Sequence, residues 1–320
     1  MFKSRTAARR PFRYCARWLR QNTAVTTRKT PGGGSPTQPD SLCPSSYPPG
    51  LRYMTTFAMA GISDPGMVRE RNEDALLLKP ESGLAVLADG MGGHLAGEVA
   101  SAMAVDIIGR SIVEALDAIP GKGATTRDRR PEDAIVVDAI QQANAAIYES
   151  ACSRAEYSGM GTTVVVALFY DNKVCVAHVG DSRLYRYRAQ QLEQLTEDHS
   201  MVQELLRRGL LSPEEARTST NKNLVTRALG VEPLVQVDIV QQMVNKDDLY
   251  VLCSDGLSDV LPDSDIELLL QTLGRNLDDA VRQIVTEVNS KGGPDNVSVV
   301  LVRTGKRFAR RRSGSGPDSD

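Results

Sequence analysis

No apolar run in the 320 residues approaches the roughly 20 that a membrane-spanning helix needs. The longest candidate, Val164 to Phe169, has the length of a buried strand. The chain is therefore expected to be soluble and cytoplasmic, with no membrane partner. Its Arg-rich beginning lacks the apolar stretch of about 7–15 residues that marks a secretory signal. The five cysteines (Cys15, Cys43, Cys152, Cys175, Cys253) are odd in number and form no CxxC pair, so neither a disulfide framework nor a zinc site is indicated. There is no GxSxG elbow and no HEXXH helix, and the cysteines sit in apolar rather than electropositive surroundings, so no covalent nucleophile stands out. Gly90-Met-Gly-Gly-His-Leu-Ala-Gly97 matches neither GxGxxG nor GxxxxGKS/T, which rejects a nucleotide loop.

Net charge is also scarce, at −2, but only because unlike parts cancel. Residues 1–53 carry ten Lys or Arg against one acid, residues 54–302 carry 22 against 37, and residues 303–320 carry six against two. An acidic central body argues against nucleic acid as a partner, which calls for a clustered basic face. Cations and cationic peptides suit it better.

Residues 1–53 are rich in Arg, Thr, Ser, Pro and Gly, and are expected to be a disordered basic extension. An anionic binding segment, a targeting segment and an upstream start before a true Met54 are all compatible with it. Residues 304–320, with Arg310-Arg-Arg312 and Ser-Gly-Ser-Gly, read as a disordered basic tail. The folded domain is expected over 54–303.

Within it, apolar runs at 56–62, 75–79 and 84–88 read as strands. Helical periodicity follows from about Leu95 to Ile119 (Val105, Ile108, Ile112) and from Pro131 to Ser150 (Val136, Ile140, Ala143, Ile147). Thr162 to Tyr170, Val174 to Val179 and Arg183 to Arg188 read as an antiparallel meander, turning at Asp171-Asn172 and Gly180-Asp181-Ser182. A polar helical region at 198–229 interrupts it and contains a helix start at Ser212-Pro-Glu-Glu215. Strands at 234–240, 248–253 and 296–303 and helices at 264–273 and 276–290 complete an α+β pattern of helices packed on antiparallel sheets.

Three apolar runs end in an aspartate: Leu84 to Asp89, Val174 to Asp181 and Leu249 to Asp255. A fourth, Asp295, precedes the last strand in Gly292-Gly-Pro-Asp-Asn296. If these ends converge, two carboxylates about 4 Å apart repel by about 4 kcal/mol at an effective dielectric near 20, and a bound cation resolves the conflict. Oxygen donors without Cys or His at ligand spacing select Mg²⁺ or Mn²⁺. Two such ions about 3.5–4 Å apart can hold a bridging water for in-line attack on phosphorus. A planar cation is the natural grip for the phosphate, and Arg69 stands four residues before Glu73 and five before Asp74.

Arg69-Glu-Arg-Asn-Glu-Asp74, Asp89-Gly-Met-Gly-Gly-His94, Gly159-Met-Gly-Thr-Thr163, His178-Val-Gly-Asp-Ser-Arg183, Cys253-Ser-Asp-Gly256 and Gly293-Pro-Asp-Asn296 follow one another in this order. Over residues 56–303 the chain resembles the bacterial branch of the metal-dependent protein phosphatase 2C (PPM) family. The resemblance implies a four-layer α-β-β-α sandwich with two central antiparallel sheets, hydrolysing phosphoserine and phosphothreonine in proteins and opposing a Ser/Thr kinase. It implies that Asp89 bridges two Mn²⁺ or Mg²⁺ ions with the Gly90 carbonyl on one, and that Asp255 and Asp295 hold the other. Asp74, weighted over Glu73, serves near the second metal; Asp181, shared with Asp255, serves a third. Arg69 grips phosphate and Asn296 orients metal-bound water. Where eukaryotic relatives carry a histidine proposed as general acid this chain has Met91; His94, whose other reading is helix capping or packing, and metal-bound water are the alternatives. His178 and His199 are given no chemical role. The 198–229 segment corresponds to the flap beside the cleft, and its wording resembles phosphatases associated with type VI secretion. A monomer is expected. A non-catalytic phosphoprotein-binding scaffold and a stress-response regulator with one anti-sigma partner are the rival readings.

Overall fold

A computed structural model describes residues 57–92, 95–118, 131–212, 215–216, 219 and 224–305. The expected 1–53 extension, His94, part of the flap and the tail beyond 305 lie outside the described residues.

Eleven strands form two sheets. β1 (Phe57–Asp64), β7 (Arg183–Arg188), β8 (Gln191–Gln194), β10 (Leu249–Cys253) and β11 (Val297–Thr304) make one, in the order β1-β11-β10-β7-β8. β2 (Asp74–Lys79), β3 (Leu84–Met91), β5 (Val164–Tyr170), β6 (Lys173–Val179) and β9 (Asp238–Met243) make the other, with the two-residue β4 (Gly161–Thr162) on β3. Every pairing is antiparallel. The first and last strands are neighbours, with Phe57 opposite Thr304 and Asp64 opposite Val297.

The period-two alternation of a strand sends successive side chains to opposite faces, and here both faces are dry. On β5, Val164, Val166 and Leu168 meet helices α1 (Ala96–Asp117) and α2 (Glu132–Ser153), while Val165, Ala167 and Phe169 face the other sheet. On β11, Val297, Val299 and Leu301 meet α5 (Asp263–Leu273) and α6 (Leu277–Ser290), while Val300 and Val302 face inward. Three apolar layers therefore separate four layers of secondary structure, the α-β-β-α sandwich expected. At about 1.5–3 kcal/mol for each large aliphatic side chain fully buried, these layers are the main driving force for the fold. Two short helices, α3 (Met201–Arg207) and α4 (Asp255–Ser258), lie outside the layers.

Several expectations change. The run from Arg183 does not continue a meander with β6, because β7 crosses to the other sheet and pairs with β10 and β8. Gly180 makes the crossing at φ 109°, a backbone setting other residues rarely adopt. The Asp171-Asn172 turn does close a β5–β6 hairpin, with both residues left-handed at φ 44° and 59°. The expected strand at 234–240 begins only at Asp238. Before it, the carbonyls of Glu232 and Val235 accept from Asn144 and Gln141 of α2, so that stretch is spent on a helix rather than on a sheet. At Ser212 the expected reciprocal cap is present: Glu215 N–H donates to Ser212 Oγ at 3.3 Å, and Ser212 N–H donates to the Glu215 carboxylate at 2.8 Å.

Candidate metal and phosphate site

A cleft of about 420 Å³ opens at the ends of strands from both sheets. Eight of the nine expected site residues line it: Arg69, Glu73, Asp89, Gly90, Asp181, Asp255, Asp295 and Asn296. The ninth, Asp74, lies beneath the wall, opposite Asp89 in the β2–β3 register. Asp89 ends β3, Asp181 sits in the crossing from β6 to β7, Asp255 opens α4 after β10, and Asp295 precedes β11. Arg69 comes from the β1–β2 connection, and Met91 is also in the wall.

Two glycines bring these acids together by close approach of backbone. A side chain at Gly90 would meet the carbonyl oxygen of Gly97 at 2.2 Å, and one at Gly256 would meet that of Asn296 at 1.9 Å. Neither glycine has a left-handed φ, so here the Asp-Gly pairs serve contact rather than turning.

Two threonines fix Asp89. Its carbonyl accepts from Thr162 Oγ1 at 2.7 Å and from Thr163 N–H at 2.8 Å, and its N–H donates to Thr163 Oγ1 at 3.2 Å. Thr163 Oγ1 also meets Ser182 Oγ at 2.7 Å, linking the Asp89 and Asp181 segments. These hydroxyls belong to sequence motifs already singled out, but only the fold shows what they touch.

Crowding and burial hold these carboxyls above their ordinary range. Burial, then the charges of Asp74, Asp255 and Asp181, raise the Asp89 carboxyl well above its ordinary range. Burial and then Asp181, Asp259 and Asp295 push Asp255 up to about 8. Burial pushes Asp74 up to about 6, and burial followed by the Asp198 charge does the same for Asp181. Glu73 is raised as well, by burial first.

Arg69 donates to Asp295 Oδ2 at 2.7 Å, with 57% of the arginine side chain exposed. The side chain of Asn296, which also lines the cleft, is held by three hydrogen bonds to the protein. Its Nδ2 donates to the carbonyls of Pro65 at 3.0 Å and Arg71 at 2.8 Å, and its Oδ1 accepts from Glu73 N–H at 2.8 Å. Both N–H donors are spent on the loop that carries Arg69, so Asn296 acts as a loop clamp.

Among the described residues no three acids, imidazoles or thiols already close around one point. Asp295 is turned to Arg69 and Asp74 to Ser254 instead. The chemistry still fits a hard cation. The donors are carboxylate oxygens that resist ionising together, and Asp74 Oδ1 is buried without a hydrogen bond of normal geometry.

The start of the 198–229 segment is tied to the residues flanking Asp181. Arg183 donates to both oxygens of Asp198 at 2.7–3.0 Å, and His199 exchanges hydrogen bonds with Gly180, N–H to carbonyl at 3.0 Å and Gly180 N–H to Nδ1 at 3.1 Å. His199 Nδ1 thus accepts, leaving Nε2–H for Asp238 at 3.2 Å. Burial lowers the pKa of both His199 and its stacking partner His178, whose ring centroid is 4.6 Å away.

This constellation, on this sandwich, defines a class. A family model described as Protein phosphatase 2C matches residues 68–296, and the chain belongs to that family. Among individual proteins, it is 40% identical over 243 residues to the serine/threonine phosphatase stp of Listeria monocytogenes, covering 75% of this chain and 93% of that one. It is 36% identical over 245 residues to protein phosphatase PhpP of Streptococcus pneumoniae, covering 75% and 95%. Of solved structures, the Mycobacterium tuberculosis serine/threonine phosphatase PstP/Ppp superposes with a TM-score of 0.68 at 34% identity, covering 78% of this chain and 99% of that one. A PstP catalytic domain in complex with two manganese ions gives 0.66 at 34%, covering 78% and 99%. PppA, a key regulatory component of T6SS in Pseudomonas aeruginosa, gives 0.62 at 35%, covering 78% and 97%.

Proposed function

We propose that the chain is a metal-dependent protein phosphatase that hydrolyses phosphoserine and phosphothreonine in proteins. The observation that carries this reading is the convergence of Asp89, Asp181, Asp255 and Asp295 on one cleft that also contains Arg69. Water's oxygen joins phosphorus, the bond from phosphorus to the seryl or threonyl oxygen breaks, and that oxygen takes a proton. When bound, divalent cations supply the charge that makes water a competent nucleophile near neutral pH.

Asp89, the Gly90 carbonyl, Asp255 and Asp295, with Asp74 and Glu73, are the groups that hold two ions, Mn²⁺ or Mg²⁺; Asp181 with Asp255 suits a third. Arg69 exchanges Asp295 for a phosphate oxygen, a bidentate match its planar head is built for. Its exposure leaves it free to turn. Asn296 keeps the Arg69 loop in register. Met91 in the wall has no proton to give the leaving oxygen. The 198–229 flap, rooted beside Asp181, selects among phosphoproteins.

The catalytic domain spans 54–303, flanked by basic segments 1–53 and 304–320, and acts as a cytoplasmic monomer in signalling, opposite a Ser/Thr kinase. The likeness to PppA supports a substrate among type VI secretion components. A non-catalytic scaffold would call for a missing acid, and every expected acid is present, all lining the cleft except Asp74 directly beneath its wall. A phosphothreonine peptide with Mn²⁺ tests the reading: the wild type should release phosphate, EDTA should stop it, and Asp89→Ala should lower the rate by at least about 100-fold. Full rate in Asp89→Ala rejects the mechanism.

A further inference from the structure

Resting on the phosphatase reading, we infer that Ser254 is a positioning residue that aims Asp74 at the cation site. Ser254 is fully buried at the end of β10, in one sheet, and Asp74 begins β2 in the other. Ser254 Oγ lies 2.9 Å from Asp74 Oδ2 and accepts the N–H of Ser298, on β11, at 3.0 Å. A hydroxyl has a single proton, and an ionised carboxylate oxygen can only accept. The direction of the bond is therefore fixed: Ser254 donates to Asp74 Oδ2, and the Ser298 N–H holds the hydroxyl rotor in that setting.

One carboxylate oxygen is thus tied down while the other, Oδ1, is buried and makes no hydrogen bond of normal geometry, although the Ser298 and Asp89 side chains also stand close to this carboxylate. Leaving a buried acceptor unpaired is unfavourable, and a hydroxyl serving only to stabilise the fold would have no reason to fix a carboxylate in that state. The arrangement makes sense if Oδ1 is reserved for a cation and Ser254 sets the plane from which it is offered. Groups that orient metal ligands from behind typically change metal affinity about 10–100-fold when removed.

The test titrates Mn²⁺ alone into the EDTA-stripped full chain and follows uptake by calorimetry or electron paramagnetic resonance. Ser254→Ala should weaken the tightest Mn²⁺ site about tenfold, and Ser254→Thr, which keeps the hydroxyl, should restore it to within about twofold. In an Asp74→Asn background, Ser254→Ala should cost nothing further, because its effect runs through Asp74. Should Ser254→Ala fail to melt cooperatively, Ser254→Cys, similar in size and a weak donor, carries the same comparison. Unchanged Mn²⁺ affinity in the folded variant, or an equal loss in the Asp74→Asn background, overturns the inference and leaves the phosphatase reading standing. A wild type that takes up no Mn²⁺ overturns both.

Discussion

At Asp255, function and stability pull in opposite directions. Burial, then Asp181, Asp259 and Asp295, push its carboxyl up to about 8, so ionising it costs folding free energy that only a cation returns. Asp255→Asn keeps the shape and removes the charge. It should lower Mn²⁺-dependent phosphopeptide turnover by at least about 100-fold and yet raise the melting temperature in EDTA at pH 8 by a few degrees, roughly 2–4 °C for each kcal/mol of repulsion relieved. A variant that loses both activity and metal-free stability would contradict the account. The acids at strand ends were legible because an apolar run that ends in Asp, or an Asp just before such a run, can be read along one strand. Asn296, Ser254 and Thr163 were not legible in the same way, since each acts on a partner 74 to 223 residues away in sequence.

Elements bring those partners together, and they do so with little tolerance. α4 and the start of β11 touch at Gly256, where an added methyl would sit 1.9 Å from the Asn296 carbonyl oxygen. Gly256→Ala should destabilise the chain by roughly 3 kcal/mol, measured by urea unfolding, because only backbone could move to make room. At the start of the 198–229 segment, Arg183 and Asp198 form a partly buried bidentate pair at 2.7–3.0 Å. Arg183→Met strands the carboxylate beside Asp181, and an expected loss of about 3 kcal/mol in the same experiment should come with a higher KM for a protein substrate than for a small phosphate ester. Helix positions were readable from their 3.6-residue apolar stripe. The β6–β7 crossing and the late start of β9 were not, because alternation shows that a segment is extended but not which neighbour its carbonyls choose.

For the whole molecule, the site couples stability to both protons and metal. Without metal, Asp74 and Asp181 at about 6, Asp255 at about 8 and the raised Asp89 all lie above the ordinary value of 3.8. The folded chain then holds protons that the unfolded chain has released. The associated stability is complete below pH of about 4 and is lost as pH rises through about 8. Cations reverse the sign by replacing those protons. Melting in EDTA should therefore fall across this window, and the gap between Mn²⁺ and EDTA curves should widen as pH rises. Parallel curves would refute the coupling.

The pairing of Phe57 with Thr304 has a topological meaning. Antiparallel partners lie about 5 Å apart, so the sandwich is one short link from a closed ring. Its seam is at the end of β1 and β11 remote from Asp64 and Val297, where the cleft opens, and the seven residue steps between the two ends make that separation about 23 Å. Among the described residues, the chain therefore enters and leaves the sandwich at the pole opposite the cleft.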